Sequence, residues 1–273
     1  MVSACVRGSE SACARVVRTS RPIDWRNCSA MSARFGSVGM VLMYNSVVQQ
    51  CCTKRREFDM ELTKFGHACV VLEHDNRRLV IDPGALTPED AFAGADAVLV
   101  THEHFDHFSA EKLSAALAAN PALRLWTNTA VAEAFDGDPA RVHVVGEGDA
   151  FQANGFEIRA YGEWHAELHP DIPRVPNIGF LIDDAVFHPG DALTVPDVPV
   201  TTLLLPMHGP WSRVADLIDW VREIKPARAV GVHDGALNPL GQAMIGNFLG
   251  DRSPAPTGVP FVHLAPGAAL PLG

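Results

Sequence analysis

Three runs in this sequence are apolar on both faces of an extended chain: Ala97-Val-Leu-Val100, the leucines of Thr202-Leu-Leu-Leu-Pro206, and Ala229-Val-Gly-Val232. A strand with one wet face alternates apolar and polar residues. A short continuous run is a strand covered on both sides, as in the central sheet of a layered α/β protein. The chemistry-bearing residues collect where these runs end. Ala97–Val100 is followed at once by Thr101-His-Glu-His-Phe-Asp-His107. In an extended segment residues i and i+2 point the same way, so His102 and His104 can share one metal ion. The chain must then turn, which presents Asp106 and His107 to a second ion. Imidazole and carboxylate together suit Zn or Mn, with Fe a weaker fit.

The remaining pattern alternates strands and helices from Met60 onward. Strand-like segments are expected at 61–65, 68–72 and 78–82, the last cut off by Pro83-Gly84, and again at 142–145, 150–152, 156–161, 178–182 and 185–188. A helix is expected over 109–119, with Ser109 as its cap, Glu111 in its first turn and Leu113, Ala116 and Leu117 on one face. Another is expected over 127–135, and a third over 212–225, with Val214, Leu217, Ile218 and Val221 on one side and Pro226 as its stop. Two halves, each with several strands and then helices, predict a single αββα domain over 60–273.

Composition divides the chain at the same point. Residues 1–59 hold nine Lys/Arg against four Asp/Glu and five of the six cysteines; the rest carries a formal charge of −15 and all twelve histidines. A body so acidic excludes nucleic acid as a partner, because phosphate binding needs Lys and Arg to displace counterions. With Cys69 alone in the body no disulfide framework is available, which favours a reducing, cytoplasmic setting. The uncharged stretch 35–53 is densely apolar only over 38–44, too short to span a bilayer, and Gln-Gln-Cys-Cys after it is a poor signal-peptide cleavage site. Residues 1–59 therefore read as an extension outside the fold, with Met60 as the natural start.

The motif His-x-His-x-Asp-His after an apolar strand resembles that of the metallo-β-lactamase superfamily. Glu163-Trp-His165, Phe187-His-Pro-Gly-Asp191 and Val232-His-Asp234 follow in the expected order. Phe65-Gly-His67, His188-Pro-Gly-Asp191 and a short body make the branch containing the ascorbate-6-phosphate lactonase the most similar. The likeness runs over about 60–249. It implies that His102, His104 and His165 hold one ion, that Asp106, His107 and His233 hold another, and that Asp191 bridges them. Asp82, in Ile-Asp-Pro-Gly, resembles the carboxylate that orients a ligating histidine. His67, His169, His188 and His208 are left as supporting or substrate-facing candidates, with His169 placed in the pocket, His188 structural, and His208 either facing the pocket or packing beside Trp211. His74, His143 and His263 match nothing in the pattern.

The resemblance also implies an activity. In the superfamily's flavodiiron reductases the residue at position 104 is a carboxylate; here it is His104, and no flavin-binding domain is evident, so hydrolysis is expected over redox chemistry. Two ions about 3.5–4 Å apart lower the pKa of bound water to about 7, and Asp106 or Asp191 could take a proton from it. The expected substrate is a small-molecule ester or lactone. A small phosphodiester is the alternative, although Arg174 and Arg213 are the few cations on plausible pocket loops. A non-catalytic metal-binding or sensing protein is the alternative of another class, disfavoured by an intact seven-ligand set. No membrane partner is expected, and the sequence leaves a homo-oligomer open.

Overall fold

The computed structural model describes residues 60–250, 253–254 and 256–273. The reading of 1–59 as an extension lies outside the described residues. The first half supplies β1 (Glu61–Lys64), β2 (Val70–His74), β3 (Arg77–Ile81), β4 (Ala97–Val100), α1 (Ala110–Ala119), β5 (Arg124–Thr127), α2 (Thr129–Ala134) and β6 (Val142–Val144). The second supplies β7 (Ala150–Ala153), β8 (Phe156–Tyr161), β9 (Gly179–Ile182), β10 (Val186–His188), β11 (Thr202–Pro206), α3 (Val214–Ile224), β12 (Arg228–Val232), α4 (Pro239–Leu249), β13 (Phe261–His263) and β14 (Ala269–Pro271).

Two seven-stranded sheets result, in the orders β14-β1-β2-β3-β4-β5-β6 and β13-β12-β11-β10-β9-β8-β7. Each begins with antiparallel hairpins and continues into parallel strands: β3, β4, β5 and β6 in one, β10, β11, β12 and β13 in the other. The hairpin turns Asp75-Asn76 and Asn154-Gly155 place both residues at positive φ, the twist that a two-residue turn between right-twisted strands requires. β14 returns the chain to the outer edge of the first sheet, against β1.

The period-2 geometry of the strands separates the core into three layers. Leu62, Val70, Leu72, Leu79, Ile81, Ala97 and Leu99 meet Phe156, Ile158, Phe180, Ile182, Leu204, Val230 and Val232 between the sheets. The alternate residues face outward. Val71, Val80, Val98, Val100 and Leu125 pack under Leu113 and Leu117 of α1 and Val131 of α2. Leu203, Leu205 and Ala229 pack under Leu217, Ile218 and Val221 of α3 and Leu249 of α4. Truncating a residue such as Leu99 to Ala in this packing costs about 2–5 kcal/mol. The molecule is an αββα sandwich, as the both-face apolar runs require. Cys69 lies in the outer layer, where burial pushes its thiol up to about 12.

One local expectation needs correction, and one helix has no counterpart among the expected elements. The segment 127–135 is not one helix: β5 ends at Thr127, Asn128 caps with its side chain accepting from the Val131 amide at 3.0 Å, and α2 has only six residues. Four residues are too few to show a period, and β5 owes its existence to pairing with β4 and β6 on either side. The helix α4 was not expected, because Gly241 and Gly246 lower its propensity; Asn238 as cap and Pro239 in the first turn start it.

Candidate metal centre

Parallel strands of both sheets end at the same edge of the sandwich, and their following loops meet there. β4 delivers His102, His104, Asp106 and His107, β10 delivers His188 and Asp191, and β12 delivers His233; the loop after β8 adds His165. Gly84, just after β3, allows the approach of the β4 loop: a Cβ there would lie 2.1 Å from the Asp106 carbonyl. The Ala85 amide donates to the Phe105 carbonyl at 2.7 Å and fixes that contact. On the other side, the Asn177 side chain accepts from the Asp191 amide at 3.0 Å and donates to the Pro189 carbonyl at 2.9 Å, shaping the Pro-Gly-Asp turn.

Two groups of candidate ligands form. The ligand atoms of His102, His104, His165 and Asp191 lie within 4.8 Å of one another, and so do those of His67, Asp106, His107 and His233. Asp191 touches both groups. Its Oδ1 lies 3.2 Å from His107 Nε2, and its Oδ2 lies 3.4 Å from His165 Nε2 and 3.0 Å from His233 Nε2. All seven residues implied as ligands by the sequence resemblance are brought together, and His67 joins them.

Hydrogen bonds set the tautomers. His107 Nδ1 donates to Asp82 Oδ2 at 2.7 Å, His165 Nδ1 to the Ala166 carbonyl at 2.6 Å, and His233 Nδ1 to the His208 carbonyl. Thr101 Oγ1 spends its proton on Asp82 Oδ2 at 2.7 Å, so it accepts from His102 Nδ1 at 3.0 Å. Each of these four histidines therefore commits Nδ1 away from the centre and turns Nε2 inward, the nitrogen that binds a metal when it is unprotonated. His104 offers Nδ1, 3.1 Å from His102 Nε2. Three buried atoms at the centre, His107 Nε2, His233 Nε2 and Asp191 Oδ1, have no hydrogen-bond partner. Unsatisfied buried donors and acceptors are costly unless an ion meets them.

Electrostatics point the same way. Asp82, Asp106 and Asp191 converge on the centre, Asp82 and Asp191 deeply buried, and among the described residues no Lys or Arg pairs with them. Buried carboxylates need a counter-charge. Burial opposes ionisation of Asp191, but the neighbouring His107 and His233 hold it well below the usual carboxylate range. Burial likewise opposes charge on His107, and Asp191 and Asp82 outweigh it and hold it well above the usual range. The field that favours a proton there favours a metal cation in its place. His102 and His104 are kept neutral, first by burial and then by their histidine neighbours. This donor set fits divalent metal.

The supporting candidates fall into different places. Asp82, at φ 51°, accepts from the Thr101 amide at 2.8 Å and lies behind His107. His188 is buried behind the centre, with Nε2 3.2 Å from the Ala68 carbonyl and Nδ1 accepting from the Gly190 amide. His208 reaches His233 through its backbone carbonyl. His169 is exposed and its ring meets Asp171. Of the residues without an assigned role, His143 stacks on Trp126 and His263 lies 2.6 Å from Asp234. Trp211 was missed as a participant: its indole N–H donates to Asp191 Oδ2 at 2.9 Å. Its one sequence signal is its place in the loop after the buried strand β11.

Comparisons with known proteins give the family. A model of the beta-lactamase superfamily domain matches residues 61–233. Protein Rv0786c of Mycobacterium tuberculosis is 38% identical over 66% of this chain and 86% of its own length. A UPF0173 metal-dependent hydrolase of Salinibacter ruber is 30% identical over 48% of this chain and 62% of its own. Among solved structures, Igni18, a metallo hydrolase from Ignicoccus hospitalis, superposes with a TM-score of 0.58 at 18% identity, covering 77% of this chain and 97% of that one. The chain belongs to the metallo-β-lactamase superfamily, and the UPF0173 metal-dependent hydrolases are among its relatives.

Proposed function

We propose that this protein is a hydrolase that uses two divalent ions, Zn or Mn, to cleave a small-molecule ester or lactone in the cytoplasm. The observation that carries the reading is the Asp191 carboxylate, which faces His107 with one oxygen and His165 and His233 with the other. One carboxylate placed between two histidine sets is suited to joining two ions. When bound, the ions supply Lewis acidity and lower the pKa of water to about 7.

The chain's own residues do the rest. Asp106, whose carboxyl sits at about 2 because the His67 hydrogen bond and nearby His107 and His233 overcome its burial, stays ionised across the working range. It can accept a hydrogen bond from the attacking water and orient it. Trp211 fixes one oxygen of Asp191, so that carboxylate cannot rotate away from the two sets. The ester or lactone preference rests on the scarcity of free cations nearby among the described residues. Arg213 is occupied by Asp216 at 2.6 and 2.8 Å, while Arg174 donates to the His165 carbonyl at 2.9 Å and lies over Trp164. Arg174 is the one that favours the second reading, a small phosphodiester.

The test is metal quantification on protein purified without chelator, with lactone, ester and phosphodiester panels. Two equivalents, turnover on lactones or esters, loss on chelation and recovery with Zn or Mn are expected. Turnover confined to phosphodiesters selects the second reading. No turnover with any metal makes the protein a metal-binding or sensing protein.

A further inference from the structure

The imidazole of His67 stands among the ligand atoms, yet its hydrogen bonds run opposite to those of its neighbours. Its Nδ1 accepts from the Gly235 amide at 2.8 Å. A neutral imidazole with an accepting Nδ1 carries its proton on Nε2. That Nε2 lies 3.1 Å from Asp106 Oδ2. His102, His107, His165 and His233 spend the Nδ1 proton on acceptors outside the centre and leave Nε2 for an ion; His67 accepts at Nδ1 and presents an N–H.

The backbone of His67 is tied to the same loop. Its carbonyl accepts from the His233 amide at 2.7 Å, and the two rings pack with centroids 3.9 Å apart. Lys64, three residues earlier and fully buried, is ion-paired with Asp234, which also meets His263. The consecutive residues His233, Asp234 and Gly235 are thus each held from the 64–67 segment. Gly235 has to be glycine for the contact to be this close, since a Cβ there would lie 2.9 Å from His67 Nδ1. His233 sits at φ 56°, a conformation that a non-glycine residue holds only when its surroundings impose it.

We infer that His67 is a positioning residue and not a metal ligand: it donates from Nε2 to Asp106 and clamps the His233 turn, joining ligands that come from opposite sheets. The inference deepens the proposed hydrolase reading, and its test needs no turnover. Asp106 then has one oxygen committed to His67 and the other left for the ion or water. The His233 turn cannot relax without breaking three bonds to the 64–67 segment.

Imidazole proton–nitrogen correlation spectra of the protein, metal-free and loaded with Zn, read the tautomer directly. His67 is expected to keep its Nε2 proton in both states, while the Nε2 atoms of His107, His165 and His233 shift on loading and carry no proton in the Zn-loaded protein. Loss of the His67 Nε2 proton on Zn binding overturns the inference and makes it a ligand. His67→Gln gives an independent reading, because its amide can donate to Asp106 but supplies no ligating imidazole. His67→Gln should retain the wild-type metal stoichiometry with Zn affinity within a few-fold, whereas His67→Leu should lose about 10–100-fold in affinity. Equal loss of one whole equivalent in both variants would also overturn it. These outcomes stand whether or not any substrate is turned over, so failure of the hydrolase reading is separately visible.

Discussion

In the group of His102, His104 and His165 the imidazoles lean on neutral acceptors, the Thr101 hydroxyl and the Ala166 carbonyl, and Asp191 is the one carboxylate present. In the group of Asp106, His107 and His233, Asp82 stands behind His107, Asp106 is itself a member, and Asp191 reaches in as well. The residue types are nearly the same, but the second group concentrates negative charge and the first does not. A coordination list alone therefore does not rank two sites: the acceptors behind the ligands do. The second group should bind its ion more tightly, and chelators should empty the first group earlier.

The largest effect should come from removing what the groups share. Asp191→Ala takes an oxygen from each and leaves the Trp211 indole without its acceptor. Metal content should fall below two equivalents, and kcat/KM on whichever substrate is found should drop about a thousandfold, roughly 4 kcal/mol of transition-state stabilisation. Retention of both ions and full activity would remove Asp191 from the centre and leave two unconnected sites.

Asp82→Asn tests the asymmetry itself. It preserves shape and can keep the bond from the Thr101 amide at its remaining oxygen, while its NH2 replaces the oxygen that accepts from Thr101 Oγ1 and His107 and the anion behind His107 is deleted. Affinity at the tighter site should weaken by about 10–100-fold, with the other changed little. Competition with a chromophoric chelator would show the two affinities converging. Equal weakening at both sites would mean that Asp82 supports the whole edge and that the groups are not differently held.

A smaller effect is expected from acid. In the metal-free protein Asp106 sits at about 2, below the value of about 3.9 for a free aspartate. A carboxyl lowered by folding contributes stability that is full above its unfolded pKa and is lost as pH falls through its folded one. Asp106→Asn should therefore flatten the acid-unfolding curve between about pH 4 and pH 2, followed by circular dichroism. An unchanged curve would show that His67, His107 and His233 do not hold Asp106 as charged.

The candidate ligands were legible in the sequence because each follows a strand end, and strands buried on both faces announce themselves. Ala97–Val100 and Ala229–Val232 fix both the layered fold and the edge where His102 and His233 emerge. Asp82 was legible for the same reason. Elements made by tertiary pairing were not: β5 has four residues, and β13 and β14 have three each at sheet edges. His67 was among the supporting candidates, but its part, like that of Trp211, was obscure for a different reason. Their roles depend on which hydrogen-bonding atom faces the centre, and spacing carries no information about the tautomer of His67 or the direction of the Trp211 N–H. His208 shows the limit from the other side, since it reaches His233 through a carbonyl that any residue could supply.

The smallest effect should come from the indole that holds one oxygen of Asp191. Trp211→Phe keeps an aromatic ring near His165 and His233, whose rings lie 5.9 and 6.3 Å away, and deletes only the N–H to Asp191 Oδ2. A hydrogen bond to a charged acceptor contributes about 1.5–3 kcal/mol where no water replaces it. Trp211 is half-buried, so water can take over part of that role, and the net loss should be about 1 kcal/mol, a few-fold in kcat/KM. Because Asp191 Oδ2 faces both His165 and His233, releasing it should weaken both ions by similar small factors. A loss confined to one site would show that Asp191 belongs mainly to that group, and the comparison would then rest on Asp82 and Asp106 alone.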